Sequence, residues 1–338
     1  MKHHFADLLE EFPQYWTLTP NRERWTCHFA DLAAAPENTR KLTMTRDDKN
    51  WRRLRELPQL TELTLHEPGP DQLAALTHLH GLSALRISHA RPKNLAMIEG
   101  LTALRELALE YVSGVDDLQP IGQLPALTAL HLENLRRVAD FSGLGLSRSL
   151  RYLAIYGTLD WNQPIESFEF LRGMENLECL RLGFGVRVPA DPSMFDSLLQ
   201  LKKLTRLEIG MGTLPLEGYA WLEAKLPHVE GTIRPAFVRT GGDARRLSAD
   251  DYRARMPLDE FQDLAEQCKK TPHTAAQFFV GEDGKRYEQR PFGAMLLGKG
   301  QRDIHGTDAR VTEKCAEYEK AYRVLVRRYQ ALPPSVSA

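Results

Sequence analysis

Apolar residues recur along this chain in a fixed frame whose spacing does not fit a helix. In the stretch from Leu101 to Tyr111, leucines stand at positions 101, 104, 107 and 109, in steps of three, three and two. A helix, at roughly 100° per residue, would spread these side chains over more than half of its circumference. The closing pair, with one residue between its members, has the period of a strand that buries one face. The frame therefore predicts a short strand.

The same frame recurs at a nearly constant interval. Its third apolar position is occupied by Leu63, Leu85, Leu107, Leu130, Leu153, Leu180 and Leu207. Successive copies are thus 22, 22, 23, 23, 27 and 27 residues apart, and a degenerate copy at Leu42 and Met44 precedes them. Such a period is typical of a solenoid, in which each unit buries its apolar face against the next unit. We therefore assign the leucines to a shared core.

The frame L-x-x-L-x-x-L-x-L resembles that of leucine-rich repeat proteins with the short repeats common in bacteria. The resemblance covers roughly residues 40 to 234. It implies an α/β leucine-rich repeat solenoid with a curved parallel sheet on its concave side. The family usually has asparagine three residues after the last leucine of each strand, but here these positions hold Pro68, Ala90, Val112, Leu135, Thr158, Gly185 and Gly212. The missing asparagine ladder leaves the regularity of the turns open.

The chain on either side of the repeats lacks the leucine frame. Solenoid ends need covers, so we predict an N-terminal cap at residues 1–40, with an amphipathic helix at 5–12 and a strand at 24–32. The solenoid is assigned to residues 41–235, and Trp221 to Ile233 is interpreted as a decaying last repeat. A linker at residues 240–243, of sequence TGGD, then leads into a small α+β C-terminal domain at residues 241–338.

Three patterns define this predicted C-terminal domain. Apolar residues from Phe261 to Cys268 stand at i, i+3, i+4 and i+7, which indicates an amphipathic helix. The run FFVGEDGKRYE, residues 278–288, has the composition of a hairpin. After Thr307, a candidate N-cap, apolar positions follow at spacings of 4, 3, 4, 3 and 4, which predicts the longest helix of the chain.

The two longest repeats carry extra residues. Pro192 and the apolar residues up to Leu199 predict a helix on the convex side, and longer loops place Trp161 and Phe184 near one rim. Insertions in repeat proteins often lie on a binding face. The alternative is that the extra residues only thicken the convex layer.

The residues that alternate with the leucines must point into the concavity, and they are the candidates for function. The candidate partner-binding residues are Glu62, Arg86, Glu106, Glu110, Tyr111, His131, Glu133, Tyr152, Tyr156, Arg181 and Phe184. The first four coils are rich in glutamate, and the middle coils carry aromatic residues. Aromatic residues beside charges are typical of protein-binding hot spots. The alternative is a polar face that serves solubility alone.

Composition narrows the classes of partner. The formal net charge of −1 over 338 residues gives no global field for nucleic acid or membrane, and the concave face has no stripe of Lys and Arg. Four cysteines without a C-x-x-C pair fit a reducing compartment. Neither a signal peptide nor a run of about 18 apolar residues is evident. We expect a cytoplasmic protein, with a monomer favoured.

Motifs with chemical potential are few. The segment Gly293 to Gly300 matches G-x-x-x-x-G-K but lacks the following Ser or Thr, and its apolar interior favours burial. Lys299, Arg302 and His305 form a possible anion site, although a solvated turn is the favoured interpretation. The histidines lack further zinc ligands, so we expect neither a metal nor a cofactor.

A leucine-rich repeat array followed by a C-terminal domain also resembles the bacterial ubiquitin ligases whose C-terminal domain carries a catalytic cysteine. Two cysteines of this chain test that resemblance. Cys268 and Cys315 both lie on the apolar stripes of predicted helices, which favours buried structural roles. The first hypothesis is therefore a non-enzymatic protein-interaction module, by analogy an immunity or inhibitor protein. The alternatives are an enzymatic or anion-binding C-terminal domain with the repeats as substrate selector, and a structural role in self-assembly.

Overall fold

The structure is a computed structural model that describes residues 7–11, 16–20, 27–183, 185–269 and 276–332. The described chain divides into two compact units. The first comprises the chain up to Thr213 together with Lys225–Ile233, and the second comprises Leu214–Ala224 together with the chain from Arg234 onward.

The N-terminal segment forms strands where a helix was predicted. Strand β1 (Asp7–Glu11) pairs antiparallel with β2 (Trp16–Pro20), so the helix predicted at residues 5–12 is wrong. In so short a segment, backbone pairing with a partner that carries two threonines outweighs a weak helical periodicity. Residues 24–26 of the strand predicted at residues 24–32 lie outside the described residues. Residues 27–32 make two single parallel bridges instead of a strand, and these join His28 to Thr43 and Asp31 to Lys49.

An eight-stranded parallel sheet dominates the first unit. Its strands lie side by side in chain order, one for each repeat, and the shorter pair β9 and β11 forms a separate parallel ladder. The eight strands of the sheet are β3 (Lys41–Thr45), β4 (Glu62–His66), β5 (Ala84–Ser88), β6 (Glu106–Glu110), β7 (Ala129–Glu133), β8 (Tyr152–Tyr156), β10 (Cys179–Leu182) and β12 (Arg206–Ile209). The separate ladder consists of β9 (Gln163–Pro164) and β11 (Val186–Arg187).

The parallel register aligns the leucines of successive repeats. Leu107 on β6 stands opposite Leu85 on β5 and Leu130 on β7, and the same pairing continues to Leu63 on one side and Leu207 on the other. All members of this ladder are buried. The predicted leucine-rich repeat solenoid is therefore confirmed by its sheet and register.

Four strands are followed by a residue in the left-handed region. Their φ angles lie between 49° and 55°, and each backbone N–H donates to a carbonyl at the end of the next strand. The N–H of Glu67 donates to the carbonyl of Ser88, that of His89 to Glu110, that of Tyr111 to Glu133, and that of Asn134 to Tyr156. A side chain in this conformation costs roughly 1–2 kcal/mol, which the backbone bond offsets. These turns are regular without the asparagine ladder, whose positions hold buried Ala90, Val112 and Leu135.

Short helices return the chain on the side away from the sheet. They are α1 (Pro70–Ala75), α2 (Gln119–Gly122) and the 3₁₀ helices Leu32–Ala34, Trp51–Glu56, Leu76–His78, Ala96–Ile98, Ser142–Leu146, Glu169–Gly173 and Pro192–Gln200. The helix predicted after Pro192 exists, but it is 3₁₀. Phe195, Leu198 and Leu201 are buried at intervals of three residues, which is the period of that tighter helix.

The second unit is an α+β assembly. Its antiparallel sheets contain β13 (Phe237–Thr240), β14 (Ala244–Arg246), β15 (Gln277–Val280), β16 (Arg286–Gln289), β17 (Phe292–Leu296) and β18 (Ile304–Gly306). Its helices are α3 (Leu216–Lys225), α4 (Tyr252–Arg255), α5 (Leu258–Lys269) and α6 (Asp308–Ala331). No helix among the described residues combines the length and apolar content needed to cross a bilayer.

The local predictions for this unit hold. The hairpin is β15 paired with β16, the first amphipathic helix is α5, and the long helix is α6. The Thr307 side chain caps α6 by accepting a hydrogen bond from the backbone N–H of Arg310. The segment interpreted as a decaying last repeat begins in α3, but residues Lys225–Ile233 belong to the first unit. Within that unit, Glu230 makes a single parallel bridge to Arg206.

Truncation of a ladder leucine tests the shared core. We expect Leu130→Ala to lower the free energy of unfolding by about 2–5 kcal/mol, because the cavity loses contacts to both neighbouring coils. Leu146→Ala is the control, since Leu146 is 48% exposed, and it should change stability by less than about 0.5 kcal/mol. Urea denaturation followed by circular dichroism measures both; equal losses would contradict the shared core.

Candidate functional site

The parallel register gathers the predicted concave residues into rows across the sheet. Ala108 stands beside Arg86 on one side and His131 on the other. At the strand ends, Glu110 stands beside Glu133, which in turn stands beside Tyr156. Residues far apart in sequence therefore become lateral neighbours, about 4.8 Å apart.

Four of the predicted concave residues are buried, which corrects the expectation that they are exposed. Arg86, Glu110 and His131 are 5–6% exposed, and Tyr152 is 0% exposed. The long charged side chains are covered because they pack against one another across adjacent strands. The Tyr152 ring is covered because it fills the space left by its small neighbours Ala129, Ala154 and Cys179.

The other predicted residues differ in their surroundings. Glu62, Glu106, Tyr111, Glu133, Tyr156 and Arg181 are partly exposed. Lys41 Nζ lies 2.8 Å from Glu62 Oε1, so this lysine neutralises part of the negative charge on the first coils. Arg181 lies 5.6 Å from the Tyr156 ring centre and 2.8 Å from a Glu208 carboxylate oxygen. Phe184 lies outside the described residues.

A buried ion pair joins Arg86 to Glu110. Arg86 Nε donates to Glu110 Oε2 at 3.1 Å, and Nη2 donates to Oε1 at 2.6 Å. Burial raises the pKa of the Glu110 carboxyl above its usual value, while the Arg86 charge opposes that rise. The remaining Arg86 nitrogen, Nη1, is buried and has no hydrogen-bond partner among the described residues.

His131 completes a cluster with two carboxylates. Its Nε2 lies 3.6 Å from Glu133 Oε2 and 4.0 Å from Glu110 Oε1. One ligand atom from each of the three side chains lies within 4.8 Å of the others. The neighbouring strands bury His131 beside these two carboxylates, which the spacing of the histidines in the sequence did not indicate.

Aromatic rings line the ends of the same strands. His89 stacks on Tyr111 with ring centres 4.6 Å apart, and His131 lies 5.1 Å from Tyr156. The Tyr111 hydroxyl hydrogen-bonds Glu133, and burial together with that carboxylate raises the pKa of Tyr111. His89 was not among the predicted site residues, and the available signal was its position directly after a strand, which is equivalent to that of Tyr111.

A cavity of about 980 Å³ opens beside these rings, and we call it the strand-end cavity. Tyr111, Glu133 and Tyr156 are the predicted residues that line it. Its lining also includes Arg91, Arg136, Leu159 and Asp160, which were not predicted. The loop that carries Leu159 belongs to one of the two long repeats. The extra residues of that repeat were the signal in the sequence that could have indicated Leu159 and Asp160.

The residues of the possible anion site lie in the second unit and do not form a cluster. Lys299, Arg302 and His305 are exposed, and no hydrogen bond or ion pair joins them within the described chain. The apolar part of the G-x-x-x-x-G-K match lies in strand β17, which buries Ala294. An extended strand cannot wrap a phosphate as a glycine-rich loop does.

Comparisons with known proteins add the following findings. No family model matches the sequence, and no curated protein matches it. An internalin of Listeria monocytogenes is 19% identical with a TM-score of 0.38, and the match covers 56% of this chain and 65% of that chain. Internalin C2 of the same organism is 20% identical, with a TM-score of 0.37 and coverage of 50% and 71%.

A leucine-rich repeat protein of Leptospira interrogans is 20% identical with a TM-score of 0.38, and the match covers 56% of this chain and 59% of that chain. The chain therefore spans less than two thirds of the first internalin and of the Leptospira protein. The fold assignment rests on the sheet and its register.

Removal of Arg86 tests the buried pair. We expect Arg86→Met to lower the free energy of unfolding by about 3–5 kcal/mol near neutral pH, because Glu110 is left buried without its cation. The loss should shrink below the ordinary carboxyl pKa of 4.5, where Glu110 is protonated in both states. This direction follows from the raised pKa of Glu110, because a carboxyl with a raised pKa in the folded state favours folding at low pH and disfavours it as the pH rises.

The control for this variant is Arg105→Met. Arg105 is exposed and directly precedes strand β6, so its replacement should change stability by less than about 0.5 kcal/mol. Urea denaturation at the two pH values measures the difference. A loss for Arg86→Met that matches the control, or that does not depend on pH, would contradict the assigned role.

Proposed function

We propose that this chain binds a protein partner through the strand-end cavity and the adjoining exposed residues of the concave face. One observation carries the proposal: two tyrosines, a carboxylate and a highly exposed leucine converge on the same cavity. These residues are Tyr111, Tyr156, Glu133 and Leu159. Tyrosine is enriched at the centres of protein interfaces because it combines a large contact area with a polar group.

Leu159 favours a macromolecular partner over a small ligand. The side chain is 88% exposed, and only a surface that reaches over the loop can bury it. The loop is held in place, because the Thr158 N–H donates to the Trp161 carbonyl at 2.8 Å. A Cβ on Gly157 would lie 1.8 Å from the Gly185 carbonyl oxygen, so the backbone packs closely there. A preorganised anchor loses little conformational entropy on binding.

Electrostatics indicates the character of the partner. Glu106 and Glu133 are partly exposed on neighbouring strands, and Asp160 adds a third carboxylate at the cavity. Arg91 and Arg136 lie in the same lining. We propose that the partner presents a cationic side chain towards the tyrosines and glutamates, and an acidic group towards the arginines. Such complementarity selects the partner and orients it.

The proposed role is non-enzymatic. Cys315 on α6 is 1% exposed, and burial raises the pKa of its thiol, which disfavours the thiolate needed for nucleophilic catalysis. Cys268 packs beside the Phe261 cluster. In its finer form, the proposal is a cytoplasmic immunity or inhibitor protein of a bacterium, supported only by analogy with compact binding proteins.

Charge reversal tests the acidic part of the surface. We expect Glu106→Lys combined with Glu133→Lys to weaken binding of the partner by at least about tenfold, because like charges would meet across the interface. The partner is the protein that the wild-type chain retains from native lysate, and its affinity is then measured with purified components. Circular dichroism verifies that the variant is folded.

The matched control for the charge reversal is Glu99→Lys combined with Glu175→Lys. Both glutamates are exposed and lie outside the strands, so the control changes the net charge equally. It should retain the same partner with an affinity within about twofold of wild type. Equal weakening in both double variants would show that net charge matters and the concave face does not.

Replacement of Leu159 tests the apolar anchor. We expect Leu159→Asp to weaken partner binding by at least about tenfold, because a charge replaces an apolar side chain that the interface buries. Leu146→Asp is the control. Leu146 is also exposed, but it lies at the end of the 3₁₀ helix Ser142–Leu146 and does not line the strand-end cavity. Titration calorimetry with the purified partner compares the two. Unchanged affinity for Leu159→Asp would remove this loop from the interface.

A further inference from the structure

Three side chains with metal-binding chemistry meet on strands β6 and β7. Glu110 ends β6, while His131 and Glu133 lie two residues apart on β7 and therefore share one face. Their nearest ligand atoms all lie within 4.8 Å of one another. We propose that Glu110, His131 and Glu133 form a binding site for a divalent first-row transition-metal ion, with Zn²⁺ as the representative.

The distances within this cluster match coordination better than direct hydrogen bonding. His131 Nε2 lies 3.6 Å from Glu133 Oε2 and 4.0 Å from Glu110 Oε1. These separations exceed the usual range of an N–H···O hydrogen bond. Zinc bonds of about 2.0–2.2 Å at tetrahedral angles place neighbouring ligand atoms roughly 3.3–3.6 Å apart. Because the three ligand atoms lie within 4.8 Å of one another, side-chain movements of about 1 Å would close the site.

The supporting contacts hold two of the ligands in place. Arg86 binds Glu110 through two nitrogens, and the Tyr111 hydroxyl hydrogen-bonds Glu133. Each carboxylate oxygen has more than one lone pair, so these bonds leave acceptor capacity for a metal. Hydrogen bonds to metal-bound carboxylates are common and orient them. The ligands also lie on adjacent strands, which position side chains more firmly than loops do.

The charge of the cluster favours a cation. Glu110 and Glu133 carry two negative charges when ionised, and Arg86 supplies one positive charge, which leaves a net charge of −1 when His131 is neutral. The Glu110 side chain is buried, and the Arg86 guanidinium is paired with it. A nearby divalent ion would further stabilise the Glu110 carboxylate, whereas the positive charge of Arg86 would moderate the affinity.

The donor set narrows the choice of ion. One imidazole nitrogen with two carboxylate oxygens suits Zn²⁺ and its first-row neighbours, whereas Mg²⁺ and Ca²⁺ favour oxygen alone. Coordination through Nε2 places the proton on His131 Nδ1, which is buried and has no hydrogen-bond partner among the described residues. A ligand histidine without that support loses roughly 10–100-fold in affinity. We therefore expect binding of moderate strength.

Glu133 links the proposed metal site to the surface, because it is a proposed ligand and also lines the strand-end cavity. Three protein ligands leave a coordination position for water or for a side chain of a bound protein. The metal site itself does not depend on the proposed protein partner, because all three ligands belong to this chain.

Metal titration of the full chain, stripped of metal with a chelator, tests the site. We expect one equivalent of Zn²⁺ to bind, with an affinity weakened at least about tenfold in Glu133→Gln and in His131→Gln. Co²⁺ should give the visible absorption of a site with one nitrogen and two oxygen ligands. Glu99→Gln and His78→Gln are the matched controls, because both side chains are exposed and lie outside the cluster, and they should bind Zn²⁺ like wild type.

These controls matter because the chain contains 11 histidines, which can bind Zn²⁺ elsewhere. Equal binding by wild type and both ligand variants would indicate an adventitious ion only and would overturn the proposal, as would the absence of any bound equivalent. If His131→Gln fails to fold, Glu133→Gln decides alone, because the Glu133 side chain is 25% exposed and the replacement keeps its shape.

Discussion

The register of the leucine ladder is the constraint on which the rest of the first unit depends. One coil cannot bury its own apolar residues, so each leucine must meet its counterpart on the next strand. In-register pairing from Leu63 to Leu207 satisfies this requirement. Because side chains alternate along a strand, the same register also determines which residues face the concavity.

The register has a second consequence on the concave side, where it places charged and aromatic residues beside one another. Arg86 on β5 binds Glu110 on the adjacent strand β6, and His131 on β7 lies close to two carboxylates. The floor of the concavity is therefore partly a buried polar network. Networks of this kind stabilise only when their members are paired, so they constrain the fold as well as the surface.

Function is therefore expected at the ends of the strands more than along the concave floor. There the chain turns through left-handed residues, and the regular backbone bonds to the next strand hold those turns in place. The turns orient His89 and Tyr111 beside the strand-end cavity, and an insertion in a longer repeat adds Leu159. A rigid edge with an exposed apolar anchor offers a surface that a protein partner can recognise. The metal-binding cluster adjoins this edge through Glu133.

The sequence by itself determined the strands of the eight-stranded sheet, the shared core, and the hairpin and two longest helices of the second unit, because these depend on local periodicity and on a repeat period. It also indicated Tyr111, Glu133 and Tyr156, which line the strand-end cavity, because their positions relative to a strand are a local property. Only the tertiary structure decided that Arg86, Glu110, His131 and Tyr152 are buried, and that Glu110, His131 and Glu133 converge. Those outcomes depend on side-chain length and on neighbours about one repeat away, which no pattern within a single repeat records.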